Sequence, residues 1–251
     1  MLFLLALTSL VVGVMIGALG VGGILLIPAI AAFAGLDIHT AMGTALFTFI
    51  FTGIIGTLLY HRLGSVDWRL ALPICLGAVA FAWLGALANA HADASGLKLG
   101  LALVILFAGL HIVKPIGRTR PGARGSDTPG SRTLLMCIGS GVGFGSGLTG
   151  VGGPILSIPI MVAIGFDPLA SVAAGQVLQI AAAASGAVGN LAYGRVDFGL
   201  AAWVTLLELV GVWAGVRLSH RLPRERLKAC VATVCILLGG FMAVQSLLAW
   251  L

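Results

Sequence analysis

Apolar residues run in long blocks along this chain. Short polar interruptions bound eight of them, at about 2–34, 40–60, 69–90, 97–114, 133–164, 168–193, 199–218 and 228–251. A helix needs about 20 apolar residues to cross the ~30 Å hydrocarbon core of a bilayer, and six blocks have ordinary span length. The first and fifth run to about 33 residues and are interrupted near their centres by "GALGVGGILLIP" (17–28) and "GLTGVGGPILSIP" (147–159). Glycine and proline weaken a helix more than other residues do. As a helix, residues 24–34 would be about 16 Å long, roughly half of the core. The pattern predicts an all-α polytopic membrane protein of about eight hydrophobic segments, two of them broken or re-entrant.

The second half repeats the first at an offset of about 130. Gly20-Val21-Gly22-Gly23 matches Gly150-Val151-Gly152-Gly153, and Pro28 matches Pro159. Gly35-x-Asp37 matches Gly165-x-Asp167, Gly43-Thr44 matches Gly175-Gln176, and Gly53-x-x-Gly56 matches Gly186-x-x-Gly189. Tyr60-x-Arg62 with Val66-Asp67-Trp68 matches Tyr193-x-Arg195-Val196-Asp197-Phe198 after a three-residue deletion. Internal repeats are a common basis of transporter folds.

Charge decides how the repeats are oriented. If all eight blocks cross the membrane, the 14 Lys and Arg divide 8 against 6 between its two sides. If the two broken blocks each enter and return on one side, that side collects Arg62, Arg69, Lys114, Arg118, Arg120, Arg124, Arg132, Arg217, Arg221, Arg224, Arg226 and Lys228. The other side keeps Lys98 and Arg195, a split of 12 to 2 that satisfies the positive-inside rule. Three further crossings per half then make the repeats inverted. The expected division is a first repeat at 1–113, a basic cytoplasmic linker at 114–132 and a second repeat at 133–251. Both termini are expected in the periplasm.

Composition agrees: 59% of the residues are hydrophobic and 9% are Asp, Glu, Lys or Arg, against about 25% charged in soluble domains. The net charge of +6 sits in short loops rather than on a continuous face, which argues against a nucleic-acid partner. Cys75, Cys137, Cys230 and Cys235 lie inside apolar segments without metal or framework spacing and read as packing residues. The N-terminal "MLFLLALTSLVVGV" lacks a basic n-region and a cleavage site, so it reads as a mature segment rather than a cleaved signal.

The breaks are the main candidate for chemistry. Irregular backbone inside a membrane survives only when buried in protein or lining a wet cavity. Helix N-termini carry partial positive charge and bind anions, and Pro154 suits a first helical position. Two such termini from inverted halves would converge near the midplane. Candidate substrate residues are therefore Gly20, Gly22, Gly23, Thr149, Gly150, Gly152 and Gly153. Replacing Gly22 or Gly152 with a bulky residue is expected to abolish transport and leave the fold intact. The competing reading is helix packing, which glycines serve at Gly13-xxx-Gly17, Gly139-xxx-Gly143-xxx-Gly147 and Gly211-xxx-Gly215. The formal Gly-x-Gly-x-x-Gly at 145–150 lies in a membrane block and not in a strand–turn–helix unit, which argues against a dinucleotide.

Polar residues within the blocks are few. Thr44, Thr48 and Thr52 share one helical face, as do Gln176 and Gln179. Thr44, Gln176 and Gln179 join the substrate candidates as oxyanion donors, with interhelical hydrogen bonding as the alternative. Glu208 is the only acid deep in a span and is a candidate for proton coupling, against a structural or lumen-facing role. Arg62 and Arg195 follow tyrosines near the interfaces and serve either as anchors or to attract anions. Asp37, Asp67, Asp167 and Asp197 stand at segment boundaries as caps or turn formers. No catalytic constellation, metal-ligand cluster or cofactor motif is present in the sequence, so neither an enzyme nor a cofactor is expected.

The duplicated "GVGG…P", the following "GT" and "GQ", and the "Y.R….VD[WF]" element together resemble the TauE/SafE sulfite exporter family, also called the toluene sulfonate uptake permease group. The resemblance covers nearly the whole chain. It implies a secondary carrier of sulfur-containing anions such as sulfite or organosulfonates, often exporting, in a bacterial inner membrane. It also implies that the six break glycines line the substrate path. The alternatives are a passive channel for small solutes and a carrier of non-sulfur carboxylates. The expected partners are a small anionic substrate and the lipid bilayer, with a homodimer as the assembly to test.

Overall fold

The computed structural model describes residues 2–89, 94–113, 129–149, 153–193 and 196–248. The described residues form ten helices and no strand: α1 (Leu2–Leu19), α2 (Gly23–Ala34), α3 (Ile38–Arg62), α4 (Trp68–Asn89), α5 (Ala94–Val113), α6 (Pro129–Thr149), α7 (Pro154–Ile164), α8 (Pro168–Tyr193), α9 (Phe198–Arg221) and α10 (Arg224–Leu248). The ten arise because the first and fifth apolar blocks each divide in two at their Gly-Val-Gly-Gly. Four helices are long and apolar enough to cross a membrane, within α3, α4, α8 and α9. Helix α6 begins at Pro129, inside the stretch expected to be linker, while residues 114–128 fall outside the described residues.

The boundaries follow from local chemistry. Gly20 (φ +68°) ends α1 in the left-handed region open to glycine, and Gly35 (φ +70°) and Gly165 (φ +107°) end α2 and α7 in the same way. The four boundary aspartates act at helix starts. Asp37 accepts from the Thr40 N–H (3.1 Å), Asp167 from the Ala170 N–H (3.0 Å), Asp67 from the Arg69 N–H (3.0 Å) and Asp197 from the Leu200 N–H (2.9 Å).

Helix directions show the inversion. Helices α3 and α8 occupy equivalent places in the two repeats and pack against each other. A Cβ on Gly56 would fall 2.9 Å from Gln176 Cδ, and one on Gly186 would fall 3.2 Å from Leu46 Cδ1, so α3 rises in number as α8 falls. Equivalent helices that run antiparallel require inverted repeats. The same pseudo-twofold relation pairs α1 with α9 and α6 with α4, each at glycine-mediated backbone contact. Gly13 faces the Glu208 backbone just as Gly143 faces that of Ala78, and both crossings are parallel.

Helix α3 runs with α9, because Thr44 meets Asp197 and Tyr60 meets Ser219. Helices α1 and α3 therefore point the same way, and α2 between them must return. The five residues after α3 reach at most about 18 Å, too short to recross its ~37 Å, so α4 reverses. Helices α4, α6 and α8 share that opposite sense, and α7 returns between α6 and α8. Each broken block is thus a hairpin with a long and a short limb. Arg62, Arg69, Arg132, Arg221, Arg224, Arg226 and Lys228 all lie near one end of the bundle, opposite the start of α1.

Side chains sort as a lipid solvent demands. Phe3, Leu76, Trp83, Phe107, Leu206 and Leu237 are more than half exposed. The interior holds Ala, Gly, Thr48, Thr52, Gln176, Gln179 and Glu208.

Candidate functional site

The first hairpin turn meets the start of α7 inside the bundle. A small cavity of about 10 Å³, room for about one water molecule, is lined by Gly20, Gly22 and Gly23 of the first turn and by Pro154 and Ile155 at the start of α7. Ile16, Phe49, Gln179 and Ala183 complete its wall. Contact between the first turn and α7 is close: a Cβ on Gly20 would collide with Ile158 Cδ1 and lie 3.7 Å from Pro154 Cβ. Phe49 and Gln179 sit near the middles of α3 and α8, which places the pocket near mid-bundle.

The wall is apolar apart from one amide and the backbone. Gln179 Nε2 donates to Thr52 Oγ1 (2.9 Å) and to the Phe49 carbonyl (3.3 Å). The cap residues of α2 and α7 are Gly22 and Gly153, which have no side chain to accept from the first-turn amides. Pro154 at the first position of α7 also removes one donor. Among the described residues, no charged side chain lines the pocket. Its polarity comes from the Gln179 amide and from two helix starts, whose aligned peptide dipoles carry partial positive charge. Helix starts suit a small anion, while both Gln179 N–H groups are already given within the protein, the longer to the Phe49 carbonyl.

The model of the "Sulfite exporter TauE/SafE" family matches residues 5–242, nearly the whole chain. This chain belongs to the TauE/SafE family. It is 25% identical to the probable membrane transporter protein YdhB of Bacillus subtilis, over 91% of this chain and 94% of that protein. It is 27% identical to the probable membrane transporter protein YunE of the same organism, over 89% and 88%. It is 22% identical to the probable membrane transporter protein MJ0441 of Methanocaldococcus jannaschii, over 95% and 94%. No solved structure matches it. The chain is a multi-pass membrane transporter.

Within this TauE/SafE chain the expected site residues take different places. Gly20, Gly22, Gly23 and Gln179 line the pocket. Gly153 stands beside it, where a Cβ would fall 3.1 Å from Leu178 Cδ2. Gly150, Gly152 and Arg195 lie outside the described residues, as does the side chain of Thr149. Gln176 stands apart from the pocket lining. Its Nε2 donates to the Ile16 carbonyl (2.7 Å), which also accepts the Gly20 N–H (2.8 Å), and so ties the end of α1 to α8. Gln176 Oε1 is buried without a partner above Gly56. Thr44 accepts the Asp197 N–H (3.2 Å) and anchors the start of α9. Arg62 is exposed in the last turn of α3, thirteen residues and about 20 Å along the helix from Phe49. Glu208 is fully buried on α9 and does not line the pocket.

Gly22 carries a second function. A Cβ there would fall 2.7 Å from Ile16 Cγ1 and 2.9 Å from the Val12 carbonyl oxygen, so this glycine also lets the hairpin close on itself. A bulky residue at 22 would disturb the fold together with the site, so it cannot separate the two. Phe49 and Ala183 were not legible as wall residues because apolar side chains carry no chemical signal. Their spacing held one clue: Phe49 lies three residues from Thr52 and Ala183 four from Gln179, on shared helical faces.

Proposed function

We propose that this transporter is a gradient-driven carrier of small sulfur-containing anions, with sulfite and organosulfonates as the class. Its anion site is the pocket between the first hairpin turn and the start of α7. The observation that carries this reading is the convergence of two glycine-capped helix starts and the Gln179 amide on one small cavity. An anion there would be met by backbone N–H groups in a site of low dielectric, where such donors act strongly.

The cluster of Arg and Lys at one end of the bundle supports a cytoplasmic location for that end, in the inner membrane, with both termini periplasmic. Export is the direction that the family description "Sulfite exporter" suggests. Inside-out and right-side-out vesicles would report it.

The test is purified protein in liposomes with a panel of sulfite, sulfoacetate, taurine, thiosulfate and carboxylates. Saturable uptake accelerated by the same anion inside is expected for the sulfur oxyanions. Unsaturable conductance would identify a passive channel, and transport of carboxylates alone would remove the sulfur assignment. If no anion were carried and none stabilised the protein, the anion site would be disproved.

A further inference from the structure

Glu208 is fully buried in α9, and neither of its carboxylate oxygens has a hydrogen-bond partner. Helix α9 packs against α1 and α3. Helix α1 contains no titratable or charged residue. On α3 these groups are His39, Tyr60, His61 and Arg62, all in its terminal turns. On α9 itself they are Arg217, His220 and Arg221, nine or more residues away. Among the described residues of these three helices, no cation is therefore placed to neutralise Glu208. An ionised carboxylate in such surroundings sheds its charge by taking up a proton.

The proton has a place to go. Thr48 stands beside Glu208. Its hydroxyl has already given its hydrogen to the Ala45 carbonyl (2.9 Å), which leaves its lone pairs free to accept the O–H of a neutral acid. Thr205, three residues before Glu208, is also buried with an unpartnered hydroxyl. One turn along α3 from Thr48, Thr52 holds Gln179 at the pocket wall. Thr48 and Thr52 are both fully buried and form a polar seam that runs from Glu208 to the pocket. The repeat-equivalent position is Ala78, so only one half of the molecule has this acid.

We propose that Glu208 is the proton-coupling group of this carrier, taking up and releasing one proton per transport cycle. In each cycle an O–H bond forms on one carboxylate oxygen as a hydronium ion gives up its proton, and the reverse step returns the proton to water on the other side. Two buried negative charges repel, so an anion in the pocket and a neutral Glu208 occur together. Proton and anion then cross in the same direction, and flux follows the anion gradient together with the pH difference. The assignment rests on the carrier reading above.

Two measurements test it separately from that reading. Infrared difference spectra of purified wild type against Glu208→Gln at neutral pH need no substrate. A neutral-carboxyl C=O band that shifts in D2O and vanishes in the variant is expected, and its absence from wild type would overturn the proposal. Labelled sulfoacetate uptake is then followed in liposomes held acid outside with the membrane potential clamped. Wild type and Glu208→Asp are expected to accumulate the anion by up to about tenfold per pH unit, the value for one coupled proton. Glu208→Gln is expected only to equilibrate it. Equal pH-driven accumulation by Glu208→Gln and wild type would overturn the proposal. A failure of wild type to take up any panel anion would sink the carrier reading instead, leaving the infrared result to decide the state of Glu208.

Discussion

Two glycines on α6 give the architecture a sharp test. Gly141 and Gly143 are two residues apart on one helix, yet they face different surroundings. A Cβ on Gly143 would fall 2.6 Å from Ala78 Cα and 2.8 Å from the Ala78 carbonyl carbon, both backbone atoms of α4. A Cβ on Gly141 would meet nothing within 4 Å. Backbone cannot turn aside as a side chain can, so Gly143→Ala must push α4 and α6 apart by several tenths of an ångström or more. Overpacking of this kind costs about 1–3 kcal/mol. Gly141→Ala meets no clash and gains about 0.5–1 kcal/mol of helix preference. At about 2–4 °C per kcal/mol for a chain of this size, Gly143→Ala should melt about 2–12 °C below wild type and Gly141→Ala at or slightly above it. Thermal unfolding in detergent, followed by circular dichroism or size exclusion, reads the difference. Equal melting of the two variants would refute the close α4–α6 crossing, and with it the symmetry that pairs this crossing with α1 on α9.

Other substitutions test separate parts of the fold. Tyr60→Phe removes a buried hydroxyl that donates to the Gly17 carbonyl (2.8 Å) and pairs with Ser219 (2.7 Å). It should lower stability by about 1–3 kcal/mol, measured by thermal unfolding. At the basic end, Asp167 both caps α8 and pairs with Arg224 (2.9 Å). Asp167→Ala should therefore cost about 1 kcal/mol or more, and Arg224→Ala, which removes only an exposed pair, less than about 1 kcal/mol. The same melting assay ranks them, and the opposite order would show that the cap is not the main contribution.

The sequence revealed those features that rest on repeated, unusual residues. The two Gly-Val-Gly-Gly breaks were visible because helix breakers are conspicuous inside apolar blocks, and their inverted arrangement followed from where the arginines gather. The boundary aspartates were legible as caps because their chemistry is local. The functions of Thr44 and Gln176 were not. A polar side chain in a span has the same sequence signature whether it faces a ligand or the backbone of a neighbouring helix. Thr44 meets the Asp197 N–H and Gln176 the Ile16 carbonyl, both more than 150 residues away along the chain. Gly22 was ambiguous for a similar reason, because ligand access and hairpin closure both require the absence of a side chain. Arg62 was legible as an interfacial anchor or an anion attractor, and the helix length sets it about 20 Å from Phe49.

The central claim is that the first hairpin turn, the start of α7 and Gln179 form one anion site, and Gln179→Leu tests it most directly. The leucine is similar in size and forfeits interhelical hydrogen bonds worth only about 0.6 kcal/mol each, so the melting temperature should move by only a few degrees. To hold an anion Gln179 turns the N–H of its longer bond, to the Phe49 carbonyl (3.3 Å), toward the ligand, and loss of a hydrogen bond to a charged ligand costs about 1.5–3 kcal/mol. The sulfoacetate concentration that half-saturates counterflow should therefore rise by about 10- to 150-fold. A half-saturating concentration equal to that of wild type would show that the anion binds elsewhere and would contradict the account.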